Sequence, residues 1–261
     1  MTHLFKVIIP VRLTATRLPK KPLLSIGDKP LIQHVYESAK KSSADSVIIA
    51  TDSPEIRNVA ESFGATVHMT AETHESGTER LIEVIEQRDE ADDTIIVNLQ
   101  GDEFNMPPAF IDKVAGTLNT HEDIGMATLC EPITDLEAFN DPHFVKVTFN
   151  KDRIALDFRR EPPVWPVDSP ALPKGVYGYG HIGMYAYRTW FIRQYARLPH
   201  CEREKNEHLE QLRVLEHGFK IYVEVVPENP GIGIDTSRDL ELARKYYEQL
   251  TAAQANISRG P

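Results

Sequence analysis

Short apolar runs separated by helix-length segments fill the first 130 residues, and this alternation narrows the chain to one broad architecture. Segments 4–10, 46–50, 65–69 and 94–98 read as buried strands. Between them, Leu31, Val35 and Ala39 keep helical spacing behind Pro30, a residue suited to a first helical turn. Segments 53–63 and 76–88 also read as helices. Strands joined through helices form a parallel sheet covered on both faces, so the predicted fold is α/β and doubly wound. Ligands in such sheets bind beyond the carboxyl ends of the strands, which directs attention to the loops after Pro10, Ala50 and Asn98.

The pattern changes near residue 140. Segments 144–150 and 153–158 read as an antiparallel pair around Asn150-Lys151-Asp152. A proline- and glycine-rich stretch, 162–183, excludes helix and predicts an extended lid or arm. Helices are expected over 203–217 and 237–250, with a strand over 220–226 between them and a frayed tail after Thr251. The prediction is one domain over 1–261, mostly parallel, with a smaller antiparallel insertion over about 140–200.

A formal charge of −10 argues against nucleic acid and anionic membrane as partners, because both would repel the chain. The apolar run at the start is far shorter than the roughly 20 residues a membrane span needs. Cys130 and Cys201 stand far apart in no metal-binding spacing and read as free thiols. A soluble cytoplasmic protein is expected.

The loop after the first strand carries the clearest chemical signal. Arg12, Arg17, Lys20 and Lys21 crowd the exit of that strand, where a triphosphate would be held. The G-x-x-x-x-G-K-[ST] spacing of a Walker loop is absent, and no glycine precedes Gly27, which excludes a dinucleotide fingerprint. Side chains, more than a glycine cradle, would hold the phosphates.

Arg12-x-x-x-Thr16-Arg17-Leu18-Pro19-x-Lys21-Pro22-Leu23 resembles the N-terminal signature of the 3-deoxy-manno-octulosonate (Kdo) cytidylyltransferases. The resemblance continues through Ala50-Thr51-Asp52, His74-x-Ser76-Gly77-Thr78-Glu79-Arg80 and Asn98-Leu99-Gln100-Gly101-Asp102-Glu103. It resumes at His181-x-Gly183-x-Tyr185-x-Tyr187-Arg188, Leu209-Glu210-Gln211-Leu212-Arg213 and Gly233-Ile234-Asp235-Thr236.

This likeness implies a nucleotidyltransferase (GT-A-like) fold and a magnesium-dependent transfer of CMP from CTP to the anomeric hydroxyl of a keto sugar acid. Asp102 and Asp235 match the family's metal positions, and magnesium takes one or two protein carboxylates beside phosphate and water. Without the family, Asp235 before a helix would read as a cap. The resemblance makes Arg17, Lys21 and Asp102 the catalytic set. It assigns Arg12, Thr16, Arg17, Lys21, Ser76, Arg80 and Gln100 to the nucleotide, with Arg80 stacking on or hydrogen-bonding cytosine. Gln100, His181, Tyr185, Glu210 and Gln211 are assigned to the sugar acid. It also implies a homodimer, with 140–200 as a possible contact, and the supply of lipopolysaccharide or capsule precursors.

Several positions depart from the family pattern. Ala15 stands where Ser is common, Lys20 where Gly is, and Phe104 where Pro is. The Phe-Ser-Arg stretch reads Phe158-Arg159-Arg160, the arginine-rich element becomes Trp165-Pro166-Val167-Asp168, and Gly180 replaces a cation. These changes predict a retained nucleotide half and an altered acceptor pocket. A modified Kdo, such as an amino-substituted one, or another acid such as a phosphonate is the alternative acceptor. A metal-dependent glycosyltransferase is a further alternative, although it would more typically show Asp-x-Asp where this chain has Asp102-Glu103-Phe104.

Overall fold

The computed structural model of the protein describes residues 5–13, 17–74, 76–227 and 231–258. The chain begins with β1 (Phe5–Val11), a 3-10 turn (Lys21–Leu23), the short pair β2 (Ser25–Ile26) and β3 (Lys29–Pro30), and α1 (Leu31–Lys40). Then come β4 (Ser46–Thr51), α2 (Pro54–Ser62), β5 (Thr66–Met69), α3 (Gly77–Gln87) and β6 (Ile95–Asn98). The middle of the chain forms β7 (Glu103–Phe104), α4 (Pro108–Thr120), β8 (Met126–Ile133), α5 (Leu136–Asn140), β9 (Lys146–Phe149), β10 (Ala155–Arg159) and β11 (Gly178–Arg188). It ends with α6 (Thr189–Tyr195), α7 (Glu202–Glu207), α8 (Gln211–Glu216), β12 (Ile221–Val225), β13 (Ile232–Gly233) and α9 (Ser237–Ser258).

β6, β1, β4 and β5 lie side by side in parallel. The nearly unbroken apolar run of β1 is explained by burial on both faces. Val7 and Ile9 pack with Leu31 and Val35 of α1 and Val114 of α4. Ile8 packs with Leu81 and Val84 of α3 on the other face. The two cores are therefore separated by one sheet, as the doubly wound reading requires.

The antiparallel part is continuous with that sheet. β11 pairs with β6, β8 and β9, and the sheet runs β10-β9-β11-β6-β1-β4-β5, with β12 joining through β8. A register shift between Ile182 and Tyr185 splits β11, so that its second half faces β6 while its first half faces β9. The β9–β10 hairpin is the expected one. Asn150 Oδ1 accepts from the nitrogens of Asp152 (3.0 Å) and Ile154 (2.9 Å), and Arg153 takes the left-handed turn conformation.

Two expectations need correction. The extended segment ends at Tyr177, because segment 178–183 belongs to β11, where residues 178–182 pair with β8 and Tyr179 and Gly180 also pair with β9. The single helix expected over 203–217 is two short helices, broken where His208 adopts φ 53°. β8, α4 and α6 are elements that the sequence reading left unassigned. No helix among the described residues is long and apolar enough to cross a membrane.

Candidate active site

A cavity of about 300 Å³ opens at the carboxyl ends of β1 and β6. Its floor is glycine-dependent. A Cβ on Gly101 would sit 3.0 Å from Val11 and 3.2 Å from the carbonyl of Pro10, so the loop after β6 passes the end of β1 closely because residue 101 has no side chain. Arg12 and Arg17 stand exposed on one wall, with Lys21 deeper between them and the carboxylates. Thr16 and Ala15 lie outside the described residues.

The two acidic loops are tied together by backbone. β7 pairs antiparallel with β13, setting Glu103 opposite Gly233, and the nitrogen of Ile234 donates to the carbonyl of Asp102 at 3.1 Å. This brings Asp102 and Asp235 onto one cation. Lys21 Nζ donates to Asp102 at 2.7 Å and to Asp235 at 3.1 Å, and Arg17 reaches Asp235 at 3.2 Å. Burial works against the charge on Lys21, but the two carboxylates outweigh it and raise its pKa. Partly buried Glu103 is pushed up to about 8 by burial and by the negative field of Asp102 and Asp235.

Such a field, built from hard oxygen donors, suits a divalent cation like magnesium. Among the described residues no group of three or more His, Cys, Asp or Glu forms a metal cage. Two carboxylates fit an ion that completes its shell with phosphate and water.

The opposite wall is the start of α3. Ser76 caps the helix, its Oγ accepting from the nitrogen of Glu79 at 3.2 Å. Arg80 is only 3% exposed. Its guanidinium donates to Asp52 at 2.8 Å, to Ala71 at 3.4 Å and to Thr70. Gln100 lines the cavity, and its Nε2 donates to Asn98 at 3.3 Å. His74 also lines it and meets Glu83 at 2.5 Å. His74 and Asp52 were given no role from sequence, although both lie in the family-like motifs.

His181, Tyr185, Glu210 and Gln211 do not line this cavity. His181 Nε2 lies 3.0 Å from Thr128 Oγ1, and Phe158 and Tyr185 flank its ring. Thr128 Oγ1 also reaches the carbonyls of Met184 at 2.9 Å and Ile182 at 3.2 Å, so it can accept from a His181 ring protonated at Nε2 while donating to a carbonyl. Burial lowers the imidazole pKa to about 3. Tyr185 lies opposite Asn98 in the β11–β6 ladder, which links this group to Gln100. Glu210 accepts from Thr78 of α3 at 2.6 Å, and Gln211 is 2% exposed with no partner for its Nε2.

Several departures now have physical accounts. Lys20 occupies a left-handed position (φ 55°), where a glycine is easier, and its ammonium turns to Glu55 at 2.8 Å rather than lining the cavity. Phe104 is buried against His34, outside the cavity lining. Arg159 is engaged by Asp157 at 2.8 Å. A Cβ on Gly180 would lie 2.2 Å from the ring of Phe144, so that ring fills the space a side chain would need.

The description "Cytidylyltransferase" belongs to the family model that matches residues 6–221. A 3-deoxy-manno-octulosonate cytidylyltransferase from Coxiella burnetii is 46% identical over 247 residues, covering 93% of this chain and 99% of the relative. One of the same description from Pseudomonas fluorescens is 47% identical over 250 residues, covering 94% and 98%. A solved CMP:2-keto-3-deoxy-manno-octonic acid synthetase complexed with CTP superposes with a TM-score of 0.85 at 37% identity, covering 95% of this chain and 99% of that one.

Proposed function

The chain belongs to the cytidylyltransferase family, and from that premise we propose that it transfers CMP from CTP to the anomeric 2-hydroxyl of Kdo and releases pyrophosphate. The observation that carries the reading is the convergence of Asp102, Asp235 and Lys21 beside an arginine-lined cavity at the strand ends.

In this reading Arg12, Arg17 and Lys21 neutralise the phosphates and the departing pyrophosphate. Ser76, Arg80 and Gln100 line the wall on which the nucleotide rests. The bonds from Arg80 to Asp52, Thr70 and Ala71 support a rigid wall. Asp102 and Asp235 hold magnesium, which supplies Lewis-acid stabilisation of phosphate charge when bound. The acceptor lies toward His181, Tyr185, Glu210 and Gln211, whose donors and acceptors suit a polyhydroxylated acid. Direct displacement then needs alignment and charge stabilisation and no covalent enzyme intermediate.

The same reading makes the enzyme a cytoplasmic homodimer that feeds lipopolysaccharide or capsule assembly. The nearly bare Val164 and Val167, 91% and 97% exposed, and Leu156 on edge strand β10 support a contact on that side.

A second acceptor reading is favoured by the Gly180–Phe144 contact and the engaged Arg159, which leave no free cation at those two places. It substitutes an amino-Kdo or another small acid for Kdo. Pyrophosphate release from CTP and magnesium, with Kdo and 8-amino-Kdo offered separately, decides between them. Turnover of Kdo is the expected result. Turnover of the amino sugar alone supports the second reading, and release with neither removes both sugars and leaves another small acid as the acceptor.

A further inference from the structure

Thr78 follows Gly77 in the first turn of α3 and is 1% exposed. Gly77 lines the nucleotide cavity, whereas Thr78 does not. Its hydroxyl donates to Glu210 Oε1 at 2.6 Å, across 132 residues of sequence. The phenol of Tyr187, itself 2% exposed, neighbours this pair. Threonine has one proton to give, and it goes to Glu210, whose own pKa burial raises. That bond uses Oε1 of Glu210 and leaves Oε2 for another donor. The bond joins the first turn of α3 to the start of α8, and Tyr187, two residues beyond Tyr185 on β11, neighbours it.

We propose that Thr78 is a positioning residue for the sugar-acid acceptor, holding the Glu210 carboxylate to the same helical turn that walls the nucleotide cavity. The inference rests on Glu210 being an acceptor ligand, as proposed above. A helix turn that touches both substrates fixes the height of the acceptor relative to the nucleotide, and alignment of this kind supports in-line transfer. The hydroxyl of Thr78 does this, and its methyl group is incidental. That distinction separates positioning from packing. A packing role tolerates valine and suffers with serine, whereas a positioning role does the reverse.

The test uses the full-length enzyme with magnesium and saturating CTP, while Kdo is varied and pyrophosphate release is followed. Thr78→Val should raise KM for Kdo about ten- to a hundredfold, the effect of removing a hydrogen bond to a charged group. Its Kd for CTP, measured by calorimetry, should stay at the wild-type value. Thr78→Ser should restore the wild-type KM. Glu210→Gln should raise the same KM, and adding Thr78→Val to it should cost less than the valine costs alone. If the valine variant fails to fold, Thr78→Cys replaces it, since a thiol donates weakly and should raise KM as well.

A normal KM in Thr78→Val with a raised one in Thr78→Ser overturns the proposal in favour of packing. A normal KM in Glu210→Gln removes Glu210 from the acceptor site and the proposal with it. A wild-type enzyme that releases no pyrophosphate with either sugar overturns the functional reading before any variant is compared.

Discussion

Lys21 Nζ lies 2.7 Å from Asp102 Oδ2, and the same ammonium bridges to Asp235 at 3.1 Å, so one cation holds two carboxylates on separate loops. Removing it takes away the charge that holds the acidic pair together and, in the proposed reaction, a phosphate ligand. Lys21→Met is expected to lower kcat by about 10²–10³ at saturating substrate, the range for one preorganised contact to developing charge. Asp102→Asn and Asp235→Asn should be at least as damaging. A chelator should abolish pyrophosphate release and added magnesium should restore it. Full activity after chelation would remove the metal role of both aspartates.

Arg80 presents a different balance of binding and stability. It is buried and its guanidinium is shared among Asp52, Thr70 and Ala71. Arg80→Met would strand the Asp52 carboxylate, and breaking such a pair costs about 3 kcal/mol. Asp52→Asn, which can still accept a hydrogen bond, should cost less. Urea unfolding of the two variants and the wild type tests the order; wild-type midpoints in both variants would mean that the pair contributes little to the fold.

His181 gives the fold a pH dependence with a definite sign. Its folded pKa of about 3 lies below the unfolded value near 6.5, because burial disfavours the cation. Between those values the unfolded chain binds the extra proton, so stability falls as the pH drops from about 6.5 toward 3. The contribution to the slope is at most about 1.4 kcal/mol per pH unit. His181→Gln should flatten unfolding free energy against pH across that window. Nitrogen NMR of the wild type at pH 5 should show a neutral ring, and an imidazolium there would contradict this account.

Gly180 should resist even the smallest side chain. The Phe144 ring occupies the Cβ position, so Gly180→Ala should cost about 1–3 kcal/mol through overpacking. Phe144→Leu should relieve part of that cost, giving a non-additive pair in thermal unfolding. An unchanged melting temperature in Gly180→Ala would show that the ring moves aside easily, and a larger residue would then be tolerated at 180.

The parallel half was legible in the sequence because its strands are unbroken apolar runs and its helices carry caps such as Ser53 and Ser76. β11 was hidden by its glycines, which read as loop until the β8 and β9 partners are known. Arg12, Arg17, Lys21, Ser76, Arg80, Gln100, Asp102 and Asp235 do share one cavity, as the motif order implied. What the linear chain concealed was direction. Neither the left-handed backbone at Lys20, nor the burial of Phe104, nor the reach of Thr78 to Glu210 is encoded in local spacing. The SGTER-like motif was read as a nucleotide element throughout, yet Thr78 bonds to the other side.

The position of β11 bears on how the chain is made. β6 has β1 on one side and β11 on the other, but 79 residues separate the end of β6 from the start of β11. As the chain leaves the ribosome, the parallel half emerges with the outer edge of β6 bare. An open apolar edge is a template for intermolecular pairing, and domains tend to form from the N-terminal side first. Biosynthesis therefore passes through a species with an open ladder at β6, next to the loop of residues 100–102. The strand that supplies His181 and Tyr185 also closes that edge, so those two side chains are set in place in the same event that removes the aggregation risk.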